Sequence, residues 1–179
     1  MSVFVIATAF VFAFAPGMIQ PFTGGLEEET VATNRLADTL ADGMLGDPAE
    51  PGVLNRTCTT EFFAEGRDGN TSNSVPPDCR FEDDVSLNAR VGAEGRPAGT
   101  GFRLSIEITG DADGNGTQGT LCDTGSELTD FDPETESCSG TAYRIGGPPS
   151  NSVGTVVTKR VVYLPVGTGI DARLRVVVW

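Results

Sequence analysis

The chain contains three patterns of apolar and polar positions, and each pattern predicts a different kind of element. Residues 1–15 are predominantly apolar and carry no charge. Residues 26–46 repeat apolar side chains at steps of three to five behind an acidic first turn, which is typical of an amphipathic helix. After these residues, short apolar runs alternate with Gly-, Pro- and Asn-rich stretches. The pattern therefore predicts an N-terminal helical part, 1–46, and a β-rich part, 47–179.

The apolar segment 1–15 is too short to span a bilayer by itself. It would cover about 22 Å as a helix, whereas a hydrocarbon core is about 30 Å thick. Pro16 and Pro21 predict a kink where the segment continues. We expect a retained apolar helix with further residues before Met1. A cleavable export signal cut after Ala15 and a short segment that packs as part of the core remain open alternatives.

The strongest strand pattern lies at the C-terminus. Residues 153–166 and 172–179 are rich in β-branched side chains and flank a Gly-rich turn at 167–171, so they predict an antiparallel hairpin. Shorter strands are predicted at 59–63, 85–91, 102–108 and 141–145. A long polar loop is predicted at 109–140. The expected fold class is α+β, with a kinked apolar and amphipathic N-terminal helix followed by an antiparallel β-rich head.

The charge of the chain excludes several classes of function. The net charge is −13, with 25 acidic against 12 basic residues, a single lysine and no histidine. Such a chain repels nucleic acid. Its acidic residues would keep it hydrated and soluble in concentrated salt, and the alternative is an ordinary acidic protein. Without histidine a Ser-His-Asp triad is excluded. No nucleophile has an activating partner, and the acidic run 130–136 is interpreted as a solvated loop. We therefore expect no enzyme activity, no catalytic residue and no organic cofactor.

Four cysteines, Cys58, Cys79, Cys122 and Cys138, lie in loop-like stretches without a C-x-x-C pair. An even number in an exported chain predicts two disulfides, with three connectivities open. We favour Cys58–Cys79 with Cys122–Cys138, because each bond then closes a Gly/Pro/Asn-rich loop. Four buried thiols remain the alternative.

Three N-x-[ST] motifs are candidate glycosylation sites. They begin at Asn55, Asn70 and Asn115, all in predicted loops. Each motif alone is a weak signal, but together with the cysteines they favour a location on the cell surface or outside the cell.

One metal site is predicted at 111–116. Asp111, Asp113 and Asn115 occupy alternate positions before a glycine, as in a calcium loop of the EF-hand type. Cys122 replaces the usual final glutamate, and Asp123 is the nearest substitute carboxylate. An acidic turn that binds no ion is the open alternative.

Several stretches of the sequence resemble the pilin-like proteins of haloarchaea, within the type IV pilin-like family. They are 1–18, Gln20-Pro21-Phe22, 34–38, Cys58-Thr59 and 174–179. The resemblance implies an apolar helix that lies in the membrane before assembly and packs in the core of a filament afterwards. The packing residues of that assembly helix would be Phe4, Phe10, Phe12 and Phe14.

These observations predict a structural subunit of an archaeal cell-surface filament. Its partners would be other pilin subunits, in a homopolymer or a copolymer, and the membrane before assembly, with no nucleic acid. The alternative is an anchored or secreted extracellular binding module that does not polymerise. Calcium is the one ion expected.

Overall fold

The computed structural model describes residues 26–68, 75–82, 85–93, 103–149 and 154–179, except for the side chains of 26–28 and 65–68. Several predictions lie outside these residues. They are the apolar helix with Phe4, Phe10, Phe12 and Phe14, its kink at Pro16 and Pro21, and the glycosylation site Asn70.

Short helices and nine strands make up the described chain. The helices are α1 (Leu26–Asp38), a π-helical segment (Thr39–Met44), α2 (Arg56–Asp68) and α3 (Leu87–Arg90). The strands are β1 (Gly46–Asp47), β2 (Glu50–Leu54), β3 (Leu104–Gly110), β4 (Gly119–Asp123), β5 (Leu128–Phe131), β6 (Thr141–Ala142), β7 (Arg144–Ile145), β8 (Val156–Leu164) and β9 (Ile170–Val178).

All nine strands belong to one mixed sheet. Its main order is β1-β2-β8-β9-β3-β4-β5, with β6 beside β4 and β7 beside β3. Strand β2 runs parallel to β8, with Val53 opposite Tyr163. The predicted fold class, a long N-terminal helix with an antiparallel pilin-like head, is therefore wrong. Local alternation indicates a strand but not its partner, and β2 joins the sheet through residues that are distant in sequence.

The C-terminal hairpin prediction is confirmed. β8 pairs with β9 in antiparallel register from Val156 opposite Val178 to Leu164 opposite Ile170. Strand β3 then pairs antiparallel with the other edge of β9. The hairpin thus lies in the middle of the sheet, with β2 beside β8 and β3 beside β9. Alternation along both of its strands places their apolar side chains mainly on one face.

Two predicted strands are helices instead. Residues 59–63 lie within α2, and 85–91 contain α3. Asn55 accepts a hydrogen bond from the backbone N–H of Cys58 at the start of α2, and Ser86 accepts one from Ala89 at the start of α3. These N-terminal caps favour helix over the weak strand pattern. The predicted loop 109–140 also contains β4 and β5.

The helices cover one face of the sheet, here called the inner face. On it, Val162, Leu164, Leu174 and Val176 are buried in one core with Leu36 and Leu40 of the N-terminal helices. Two polar contacts join the same surfaces. Thr158 donates to Asn34 at 3.2 Å, and Arg160 pairs with Asp38 at 2.6 Å. The opposite, outer face carries the alternate residues of each strand.

Candidate functional site

The predicted metal ligands lie in the loop between β3 and β4, at one end of the sheet. Carboxylate oxygens of Asp111, Asp113 and Asp130 lie within 4.8 Å of one another. Asp130 comes from β5 and was not predicted as a ligand, because it lies far beyond the loop in the sequence. Three carboxylates so close together form a chemically suitable cluster for a hard divalent cation.

The loop is closed by hydrogen bonds of its own. Asp111 accepts from the backbone N–H groups of Asn115 and Gly116, at 3.0 and 2.8 Å. Asp130 accepts from those of Ala112 and Asp113, at 2.8 and 3.2 Å. A cation would therefore share oxygens that already stabilise the turn.

The side chain of Asn115, a predicted metal ligand, forms two hydrogen bonds within the loop. Its amide nitrogen donates to Asp113 at 2.6 Å, and its Oδ1 accepts from the backbone N–H of Thr117 at 2.6 Å. Among the described side chains, the metal-sized cluster consists of the three aspartates. Calcium usually takes six to eight oxygens, so water would have to supply several of them.

The residues at the end of the predicted calcium loop have other partners. Cys122 is joined to Cys138 by a disulfide. Asp123 points to the inner face and forms a salt bridge with Arg56 at 2.6 Å. Asp123 therefore does not complete the loop as a substitute ligand.

A groove of about 520 Å³ adjoins the aspartate cluster on the outer face. Its lining includes Phe131 and polar side chains of the β3–β4 loop, and no cationic residue. Five carboxylates line it: Glu107, Asp113, Asp130, Asp132 and Glu136. We call this feature the acidic groove. Glu107 pairs with Arg175 of β9 at 3.4 Å, whereas none of the other four carboxylates forms an ion pair within the described residues, so the groove favours a positively charged group over an anion.

A polar cluster on the inner face joins α2 to the sheet. Arg56 donates two hydrogen bonds to the carboxylate of Asp123, at 2.9 and 2.6 Å. Thr60 donates to the same carboxylate at 2.7 Å, and the Tyr143 hydroxyl lies 3.2 Å from it. The Asp123 side chain is 3% exposed. No signal in a single sequence reveals this cluster, since its members are distant along the chain.

The pKa values of two groups in this cluster, Asp123 and Tyr143, are shifted away from neutral pH. Burial opposes ionisation of Asp123, but hydrogen bonds from Arg56, Thr60 and Gly125 outweigh it and lower the pKa of that carboxyl below its usual range. Burial raises the pKa of Tyr143 well above its ordinary value. Asp123 stays ionised and Tyr143 stays neutral near pH 7, so neither group suits acid–base catalysis there. The cluster acts as a structural connection.

The remaining predicted sites have definite positions. The structure joins Cys58 to Cys79 and Cys122 to Cys138, which is the pairing favoured from the sequence. Asn55 is half-buried and caps α2. Asn115 is exposed. Glycosylation at either residue stays a prediction.

A family model described as "Family of unknown function (DUF7287)" matches residues 1–179. The chain belongs to this family. No curated protein and no solved structure matches the chain. Within the described residues, no helix is both long and apolar enough to cross a membrane. The resemblance to haloarchaeal pilin-like proteins stays a prediction, as does the division of the chain at residue 46.

Proposed function

We propose that the protein is a non-catalytic structural subunit of a cell-surface filament and assembles through its N-terminal apolar segment. The head would lie outside the cell, and neighbouring copies would bury the apolar segments that one chain cannot bury alone. The aromatic residues Phe4, Phe10, Phe12 and Phe14 would make those contacts.

The observation that carries this proposal is the packing of α1 on the sheet. Leu36 and Ala37 of α1 are buried, and α1 packs against both strands of the hairpin β8–β9. Arg160 and Thr158 add polar contacts to Asp38 and Asn34. Of the described helices, the one closest in sequence to the apolar segment is thus part of the core of the head. A force that acts on such a helix is transmitted to the whole sheet, which suits a subunit held in an assembly.

Two further features support an extracellular structural role. Two disulfides close loops of the head, and disulfides persist chiefly in oxidising compartments. The buried carboxylate of Asp123, whose pKa its hydrogen bonds lower, is engaged in an ion pair with Arg56. A display role requires stability of this kind and does not require a reactive group.

The experiment that tests the proposal compares Phe10→Asp with Phe10→Leu in the full chain, expressed in its native host. A carboxylate within a packed apolar segment is costly to bury, so Phe10→Asp should remove the protein from the membrane and surface-filament fractions. Phe10→Leu, which preserves apolarity, should behave as wild type. Retention of Phe10→Asp at the wild-type level would refute the proposal.

The acidic groove favours a second candidate function, a binding module that does not polymerise. The half-buried ring of Phe131 lies beside these carboxylates, and an aromatic ring beside polar groups is a common arrangement for holding a cationic or polar ligand. Under this alternative, Phe131→Ala would abolish binding of a ligand without changing fractionation. Under the filament proposal, Phe131→Ala leaves assembly intact, whereas Phe10→Asp does not.

A further inference from the structure

The outer face of the hairpin β8–β9 carries an exposed patch of alternating apolar and basic side chains. Val161 is 78% exposed, Val157 43% and Tyr163 38%. The register places Lys159 opposite Arg175 and Val161 opposite Arg173. We call these six residues the outer patch. Large apolar side chains grouped at the surface commonly mark an interaction site.

The three cationic side chains of this patch differ in the partners that they contact within the chain. Arg175 reaches Glu107 at 3.4 Å, and Arg173 donates to Gln118 at 2.6 Å. No carboxylate of the described residues forms an ion pair with Lys159, whose side chain is exposed. The chain has a net charge of −13, so the three cations of this patch create a local potential opposite in sign to the overall charge.

The acidic groove lies on the same outer face, toward the other edge of the sheet. Strand order places β8 and β9 on one side of β3, and β4 and β5 on the other. Thr109 lines the groove and is opposite Arg173 in the register, so the patch and the groove share one row across the strands. One face therefore presents three cations with exposed apolar side chains on one side and the acidic groove on the other. Asp171 lies opposite Tyr163 at the end of the hairpin, and Arg175 pairs with Glu107 where the two regions meet.

We propose that the outer patch of one copy of this chain binds the acidic groove of a second copy. A two-fold axis along the strands, near β9 and β3, places each patch opposite the groove of the other copy. The contact is then reciprocal, as in isologous dimers. Complementary potentials select this register and oppose like-charged alternatives. The biological setting, contact between neighbouring heads, rests on the proposed function.

The single lysine allows a direct test on the full chain in detergent. A carbodiimide condenses an amine with a carboxylate, so Lys159 is the one side-chain amine that can react. Isotopically heavy and light protein are mixed, treated and analysed by peptide mass spectrometry. We expect mixed heavy–light products that join Lys159 to carboxylates at 130–136. Lys159→Arg retains the charge and should lose only the product.

Matched charge variants then measure the association by sedimentation. Lys159→Glu should weaken dimerisation by about tenfold or more. Arg80→Glu changes the net charge equally at another exposed site and should leave dimerisation unchanged. Glu136→Arg should weaken dimerisation alone and restore it when mixed with Lys159→Glu, because the mixture contains two matched contacts.

The same measurements in a Phe10→Asp background separate this inference from the filament proposal. We expect the Lys159 product to persist when the apolar segment is disrupted. Products confined to one isotope, or equal weakening by Lys159→Glu and Arg80→Glu, would overturn the face-to-face contact. Neither outcome would alter the fractionation result on which the filament proposal depends.

Discussion

The two faces of the central hairpin differ in almost every physical property, although they are built from alternate residues of the same strands. On the inner face, Val176 is fully buried and its neighbours pack under α1. On the outer face, Val161 is 78% exposed between basic residues. The apolar side chains buried on the inner face provide much of the free energy of folding. Val177 is buried on the outer face as well, but the exposed side chains around Val161 contribute little to that free energy. Those exposed apolar side chains are better explained by contact with another molecule.

The two disulfides provide the largest test of this contrast. Cys58–Cys79 and Cys122–Cys138 span 21 and 16 residues, so the chain-entropy model assigns about 3 kcal/mol to each. Cys58 belongs to the main core, whereas Cys122 points to the outer face. Denaturant unfolding of the two double Cys→Ala variants should therefore show the greater loss for Cys58 and Cys79. A greater loss for the other pair would contradict the assignment of the core to the inner face.

The next effect concerns the inner-face ion pair. Asp123→Asn leaves Arg56 without its charged partner and should lower the free energy of unfolding by about 2–3 kcal/mol near pH 7. Because folding lowers the pKa of Asp123, the pair stabilises the fold above the ordinary aspartate pKa of about 3.9 and loses this effect as pH falls below that value.

The difference between wild type and Asp123→Asn should therefore shrink in acid, measured by denaturant unfolding across pH. Asp171→Asn, at an exposed aspartate of the outer face, serves as the control and should change stability little. A constant difference at every pH would show that the asparagine acts through packing instead of charge.

A matched pair of valines sharpens the comparison of the two faces. Val176→Ala removes two buried methyl groups and should cost about 2 kcal/mol in the free energy of unfolding. Val161→Ala should change that free energy by less than about 0.5 kcal/mol, since the site is exposed. Equal losses in thermal or denaturant unfolding would mean that the outer face is covered within the same molecule.

Calcium gives the smallest expected effect. If the three aspartates bind the ion, calcium at ten times its dissociation constant stabilises the fold by about 1.4 kcal/mol. We expect a modest rise in the melting temperature with calcium that is lost in Asp130→Asn. The same rise in wild type and in this variant would place the ion elsewhere.

The candidate site was only partly predictable. The acidic, Gly-rich pattern correctly located the loop at 111–116, and Asp111 and Asp113 do lie together. Asp130 could not be assigned to them, because it approaches only through the pairing of β4 with β5. Asp123 was considered a substitute ligand, yet strand alternation directs it to the inner face and to Arg56. Spacing along the chain does not reveal which face a side chain occupies until the register is known.

The sequence by itself determined the elements whose periodicity is local and strong. The amphipathic pattern near 26–46 marked α1, and alternation marked the hairpin β8–β9, because a buried face requires apolar residues at a regular period. Only the tertiary structure decided that β2 runs parallel to β8, that residues 59–63 form part of a helix, and that patch and groove share one face. Those outcomes depend on which segments, distant in sequence, bury their apolar surfaces against one another. Local periodicity does not determine which segments these are.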